Sequence, residues 1–155
     1  MKRVLAIAAM WCGLSGSISM AQVFDAEAAM YARGTFEVEL TPQEDSESPA
    51  GRMLITKRYL GDLSGTGIGQ MISKRTDNGA AVYYAIEEFS GSVNGIAGGF
   101  TLVHMGYMST EAQSLEVTVL EGSGSGDLKD ISGSMQIVQD ENGHRYELTF
   151  ELQGA

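Results

Sequence analysis

From Gly34 onward the chain runs in short stretches of alternating apolar and polar residues broken by turn formers, and no window sustains a 3.6-residue period. In TFEVEL, Phe36, Val38 and Leu40 alternate with Thr35, Glu37 and Glu39. In YELTFEL, Tyr146, Leu148, Phe150 and Leu152 alternate with Glu147, Thr149 and Glu151. Between these, the pattern predicts strands near 52–60, 66–75, 81–91, 96–107, 114–121 and 131–139, making eight in all. PQEDSESPAG at 42–51, which holds both prolines, is the one long polar loop. Residues 22–32 read either as a short helical turn or as a flexible lead-in.

This is an all-β reading. Antiparallel strands joined by short connections fit an eight-stranded up-and-down barrel, with a two-sheet sandwich as the alternative. The 20 glycines favour the barrel, because closing a small one requires sharp coiling at bulges and kinks.

Three Asn-Gly pairs allow the register to be written down, since Asn-Gly favours a two-residue hairpin turn with positive φ at both central positions. A turn at Asn142-Gly143 sets Met135 opposite Phe150 and Ile137 opposite Leu148. A turn at Asn94-Gly95 sets Phe89 opposite Phe100, Glu87 opposite Leu102 and Ala85 opposite His104. A turn at Asn78-Gly79 sets Ile68 opposite Phe89, Gln70 opposite Glu87 and Ile72 opposite Ala85. The resulting meander carries Ile68, Ile72, Phe89, Phe100 and Leu102 on one face, with Gln70, Glu87 and His104 among them. Its other face carries Met71, Tyr84, Ile86, Val103 and Met105 and is also apolar. A sheet apolar on both sides must be covered twice, so barrel closure accounts for one face and a second subunit for the other.

The N-terminus changes the compositional picture. Lys2 and Arg3, the apolar run Val4 to Leu14 and the small residues around Ser19-Met20-Ala21 predict a secretory signal over 1–21, cleaved before Gln22. The domain plan is then signal at 1–21, lead-in at 22–32 and a single barrel at 33–153, in a periplasmic or secreted protein with no membrane insertion after cleavage. Cys12 and Trp11, the only residues of their kinds, fall inside the signal, so the mature chain has no disulfide, thiolate or cysteine-ligated metal. Cleavage also leaves 8 basic against 20 acidic residues, a formal net charge of −12. Such a balance disfavours nucleic acid and anionic lipid surfaces, which require clustered Lys and Arg.

GDLSGTGIGQM at 61–71 is the one stretch that resembles an anion cradle. Gly69 is followed by Gln70 rather than Lys, and the residues after it are strand-like, so it is no P-loop; spacing and context also fail the dinucleotide fingerprint. Reading Ser64-Gly65 as another two-residue turn pairs Tyr59 with Gln70 and makes the stretch a barrel corner. No metal or other cofactor is expected, because the only mature imidazoles are His104 and His144, the latter beside a turn where exposure is expected. No G-x-S-x-G elbow is present. The remaining constellation is Gln70, Glu87 and His104, one face-sharing row with Tyr59 and Tyr83 as companions. A carboxylate beside an imidazole in an apolar interior suits ligand anchoring or proton transfer, and equally a self-satisfied buried cluster.

The motifs ARGTFEVELTPQ (32–43), KRYLGDLSGTGIGQM (57–71), YYAIEEFSGSVNGIAGGFTLVHMGYM (83–108), QSLEVTVLEGSGSGDLKDISGSMQI (113–137) and GHRYELTF (143–150) together resemble a bacterial family catalogued as a domain of unknown function. That family is described as an allene-oxide-cyclase-like, lipocalin-related (calycin-like) β-barrel. The resemblance implies an eight-stranded barrel that tends to oligomerise, and it implies no established reaction. Glu87, His104, Gly61, Asp62, Leu63 and Gly65 match its pattern, whereas Gln70 stands where a Glu is more usual. Allene oxide cyclases steer ring closure of an unsaturated fatty-acid epoxide inside the barrel, but likeness of fold alone does not transfer an activity. The expectation is therefore a barrel that binds a small apolar or amphipathic molecule through Tyr59, Gln70, Tyr83, Glu87 and His104. The alternatives are a cyclase, isomerase or hydratase acting on such a molecule, and a protein-interaction module using the outer apolar face.

Overall fold

The computed structural model describes residues 28–44 and 46–153; the predicted signal and residues 22–27 of the lead-in lie outside the described residues. It contains nine strands in chain order: β1 (Met30–Gln43), β2 (Gly51–Gly61), β3 (Leu63–Arg75), β4 (Ala81–Val93), β5 (Ile96–Met108), β6 (Gln113–Val119), β7 (Ser125–Gly126), β8 (Ile131–Asp140) and β9 (Gly143–Leu152). The end of the lead-in, from Met30, thus belongs to the first strand. Eight of them close an antiparallel up-and-down barrel in which β1 pairs with β9, β6 with β8 and β4 with β5. The ninth, β7, is a two-residue bridge lying on Gly98 and Gly99 of β5. The seam between β6 and β8 is the weakest part of the wall, joined in register at Thr118 and Ser134.

Turn chemistry sets the register, and it does so differently at each hairpin. At Asn94-Gly95 both central residues have positive φ (50° and 82°), and the predicted pairs Phe89 with Phe100, Glu87 with Leu102 and Ala85 with His104 are all present. At the other two sites only the glycine has positive φ, Gly79 at 85° and Gly143 at 106°. Gly79 ends a three-residue loop, Asp77-Asn78-Gly79, as in a type I turn followed by a bulge, whereas Gly143 already pairs with Asp140 and closes a two-residue loop at Glu141-Asn142.

Beyond Asn142, the strands have slid by two residues, so Met135 faces Leu148 and Ile137 faces Tyr146 while the buried and exposed faces stay as expected. Beyond Asn78 the slip is one residue: Gly67 faces Phe89, Gly69 faces Glu87 and Met71 faces Ala85. A one-residue slip turns every side chain of the strand over. Ile68, Gln70 and Ile72 consequently point out of the barrel, and Met71 points in. The corner of the 61–71 glycine stretch is likewise at Gly61-Asp62, not Ser64-Gly65, so Tyr59 pairs with Gly65 rather than Gln70. Asp62 pins that corner, its amide donating to the Arg33 carbonyl at 3.0 Å and its carboxylate accepting from the Arg33 amide at 2.8 Å.

The barrel interior divides into two halves. At the end formed by the starts of β1, β3, β5 and β8, Leu63, Val93, Phe100, Leu128, Ile131 and Phe150 pack into one buried apolar cluster. Leu128, carried on the β7–β8 connection, plugs this end. Tyr146 fastens it, its hydroxyl accepting from the Leu63 amide at 2.8 Å and lying 3.2 Å from the Leu60 carbonyl. The opposite half is open. Packing in the closed half sets the cost of truncation: Leu148→Ala should lower unfolding free energy by about 2–5 kcal/mol. Val138→Ala, on the same hairpin but facing outward, should cost less than about 1 kcal/mol. Chemical denaturation of the two variants checks this difference.

Candidate functional site

Where the filled half meets the open half, three polar side chains converge on one carboxylate. Glu87 on β4, fully buried, accepts from Lys57 Nζ of β2 at 2.6 Å and from His104 Nε2 of β5 at 3.0 Å, both at Oε2. Its Oε1 accepts from the Tyr59 hydroxyl at 2.7 Å. The alternation of each strand brings these groups inward, and the predicted Asn94-Gly95 register sets Ala85 beside His104 with Glu87 on the same inner face. Lys57 also lies 4.7 Å from the centre of the Phe36 ring, a cation over an aromatic face.

The glycines of 61–71 make room for this cluster. A Cβ at Gly67 would stand 2.1 Å from Glu87 Oε1, and one at Gly69 would stand 2.8 Å from the Ile86 carbonyl. Any side chain at either position would displace the carboxylate or the strand that carries it. GTGIG is therefore a bare floor strip beneath Glu87, and its glycines serve a carboxylate belonging to the protein rather than a phosphate.

Electrostatics follow from the partners. Burial pushes the Glu87 carboxyl upward, but the hydrogen bond from His104 and the charge and hydrogen bond of Lys57 outweigh it and hold the group at about 2. Burial and the adjacent Glu87 charge push the Tyr59 hydroxyl well above its ordinary value, so it stays a donor. An ionised carboxylate can only accept, so His104 must present Nε2–H to it, which leaves Nδ1 as its other ring nitrogen. Among the described residues Nδ1 has no hydrogen-bond partner, and His104 lines the open half.

That open half is a cavity of about 670 Å³. Its floor is Lys57 and His104; its walls include Phe36, Ile55, Met71, Tyr83 and Leu115; and Arg75 and His144 stand toward its mouth. Tyr83 packs over Gly106, where a Cβ would lie 2.1 Å from the ring, and burial raises its hydroxyl above the ordinary value.

Of the predicted site residues, Tyr59, Glu87 and His104 come together, and Tyr83 lines the same cavity. Gln70 does not belong: it faces outward, its amide donating to the Met53 carbonyl at 3.0 Å. Glu87 stands behind the lining of the cavity, its two oxygens accepting from Lys57, Tyr59 and His104. His144 is half-buried and stacked on Phe36 at 4.9 Å between centres, not an exposed turn residue.

Lys57 is the residue that sequence reasoning missed. Its position between Ile55 and Tyr59 in alternating ITKRY was the available signal, since period two puts a lysine on the face of two core residues. Among the described residues no cluster of three or more His, Cys, Asp or Glu is placed to hold a metal ion.

The model of a family described as protein of unknown function (DUF3224) matches residues 32–151. A solved structure of a DUF3224-family protein of unknown function from Shewanella oneidensis MR-1 is similar at 33% identity and a TM-score of 0.77, over 83% of this chain and 100% of that one. No curated protein matches the sequence.

Glu87's lowered value predicts acid sensitivity. Because the folded-state value lies below the unfolded one, near 4.5, its stabilisation is complete above that range and is lost as pH falls from about 4.5 toward 2. The shift corresponds to roughly 3 kcal/mol as an order of magnitude. Glu87→Gln should remove that acid dependence in urea melts taken across the range. It should also destabilise the protein by about 3–5 kcal/mol at neutral pH, because it leaves Lys57 buried without its counter-charge. Gly67→Ala should weaken the same acid transition by evicting the carboxylate.

Proposed function

The chain belongs to the DUF3224 family of proteins of unknown function, and we propose that it is an exported barrel that binds a small apolar or amphipathic molecule in its open half. One observation carries this reading: an apolar-walled cavity of about 670 Å³ ends on two polar groups, Lys57 and His104, whose orientation is locked from behind by Glu87. Volume, apolar lining and a few convergent polar groups are the usual make-up of a small-molecule site. An apolar body would lie along Phe36, Ile55, Met71 and Leu115, with an oxygen of the ligand reaching the floor. The basic, apolar and small-residue sequence of 1–21 supports export to the periplasm or outside the cell.

A second reading, catalysis, has its own observation. His104 presents Nε2 to a carboxylate and an unpartnered Nδ1 to the cavity, the arrangement of a general base whose imidazolium form is balanced from behind. Nδ1 would take a proton from carbon or water and return it elsewhere on the same molecule, while Lys57 steadies the oxygen that gains charge. That is the chemistry of an isomerase, cyclase or hydratase, and it needs no further reactant beyond water.

Three measurements decide between these readings. Mass spectrometry of the purified protein under denaturing conditions should release a small apolar or amphipathic molecule. The fluorophore N-phenyl-1-naphthylamine should bind the emptied barrel, and His104→Ala should weaken it or the released molecule by roughly tenfold. An emptied barrel that takes up neither overturns the binding reading. Conversion of the released molecule by wild type, lost in His104→Ala while binding persists, would establish the catalytic one.

A further inference from the structure

The one-residue slip at Asp77-Asn78-Gly79 has a consequence outside the barrel. It adds Ile68 and Ile72 of β3 to the outward-facing Tyr84 and Ile86 of β4 and Met105 and Tyr107 of β5. These six side chains are each between 43% and 59% exposed, and the register makes them continuous: Ile72 faces Tyr84, which in turn faces Met105. The opposite wall is of another kind, with Arg33, Glu37, Arg145 and Glu147 outward and engaged in ion pairs.

We propose that the β3–β5 face is a self-association surface, covered in solution by the same face of a second copy of this chain. This inference does not rest on the ligand reading. The six side chains present on the order of 650 Å² between them, above the patch of a typical monomer and close to the roughly 800 Å² each partner contributes to a stable interface. A formal charge of −10 argues against an anionic membrane as the cover, since a lipid surface of that sign would repel the protein. Two acidic copies also repel, but the six side chains of this face carry no charge, and the acids beside them, Glu88 and Glu116, stand at its borders.

The charges at its borders are of opposite sign at opposite ends of the strands. Lys74 stands near the mouth, donating to the Pro49 carbonyl, and Glu88 stands toward the closed end, accepting from Thr101. A two-fold axis lying in the face and running across the strands brings Lys74 of one copy toward the partner subunit's Glu88, with Tyr84 and Ile86 at the centre. The patch is thus complementary to itself, as a two-fold interface requires.

Sedimentation equilibrium of the purified chain tests this. Wild type should show twice the mass of one chain at micromolar concentration. Ile86→Arg, with unchanged far-UV circular dichroism, should weaken association by about 100-fold or more. Val138→Arg, an equally exposed position on β8, should leave the dimer intact and controls for the added charge. If Ile86→Arg does not fold, Tyr84→Ser replaces it with the same expected direction. A wild-type monomer at about 100 µM, an assembly of three or more copies, or equal loss from Ile86→Arg and Val138→Arg would overturn the proposal.

Discussion

The protein depends on one buried carboxylate. Glu87 is inaccessible to solvent, and its ionised form is sustained there only because Lys57, Tyr59 and His104 all donate to it. Those donors come from β2 and β5, the strands one removed from β4 in one direction and adjacent in the other, so the cluster stitches a segment of the wall across its inside. It also divides the barrel. Below it, apolar side chains pack into one buried cluster; above it, the interior is left open. A fully apolar core would have no reason to stop halfway along the strands, whereas a charged floor must be satisfied and then needs no cover other than a cavity or its contents.

The same cluster makes the open half chemically specific. Because Glu87 is held ionised and commits both oxygens to protein donors, it fixes the tautomer of His104 and the position of the Lys57 ammonium without itself facing the cavity. The two proposed readings, binding and proton transfer, therefore rest on one arrangement of Lys57 and His104.

Glycine placement explains how a short chain carries both features. Gly67 and Gly69 clear the inner face of β3 for the Glu87 side chain and for close approach of β4. With the inner face of β3 given over to glycine, its bulky residues Ile68 and Ile72 face outward, where they enlarge the apolar outer surface. The inner site and the outer face are two sides of a single alternation.

The all-β class, the strand positions and the barrel were legible because they rest on local periodicity and on the count of short connections, both of which are properties of neighbouring residues. Glu87 and His104 were legible together because Asn94-Gly95 is a true two-residue turn with both residues left-handed, so local chemistry alone sets that register. Gln70 was misplaced for the complementary reason. Asn78-Gly79 is the end of a three-residue loop, and whether Asn or only Gly adopts positive φ is decided by how the flanking strands twist into the closed wall. Lys57 was overlooked although its alternation was visible, because a lysine between two core residues makes sense only once a carboxylate from another strand stands opposite. The chain by itself therefore determined which residues form strands and roughly where the chain turns between them. Only the closed barrel decided which side of β3 faces inward and which charges meet, since both depend on contacts between strands that no single segment encodes.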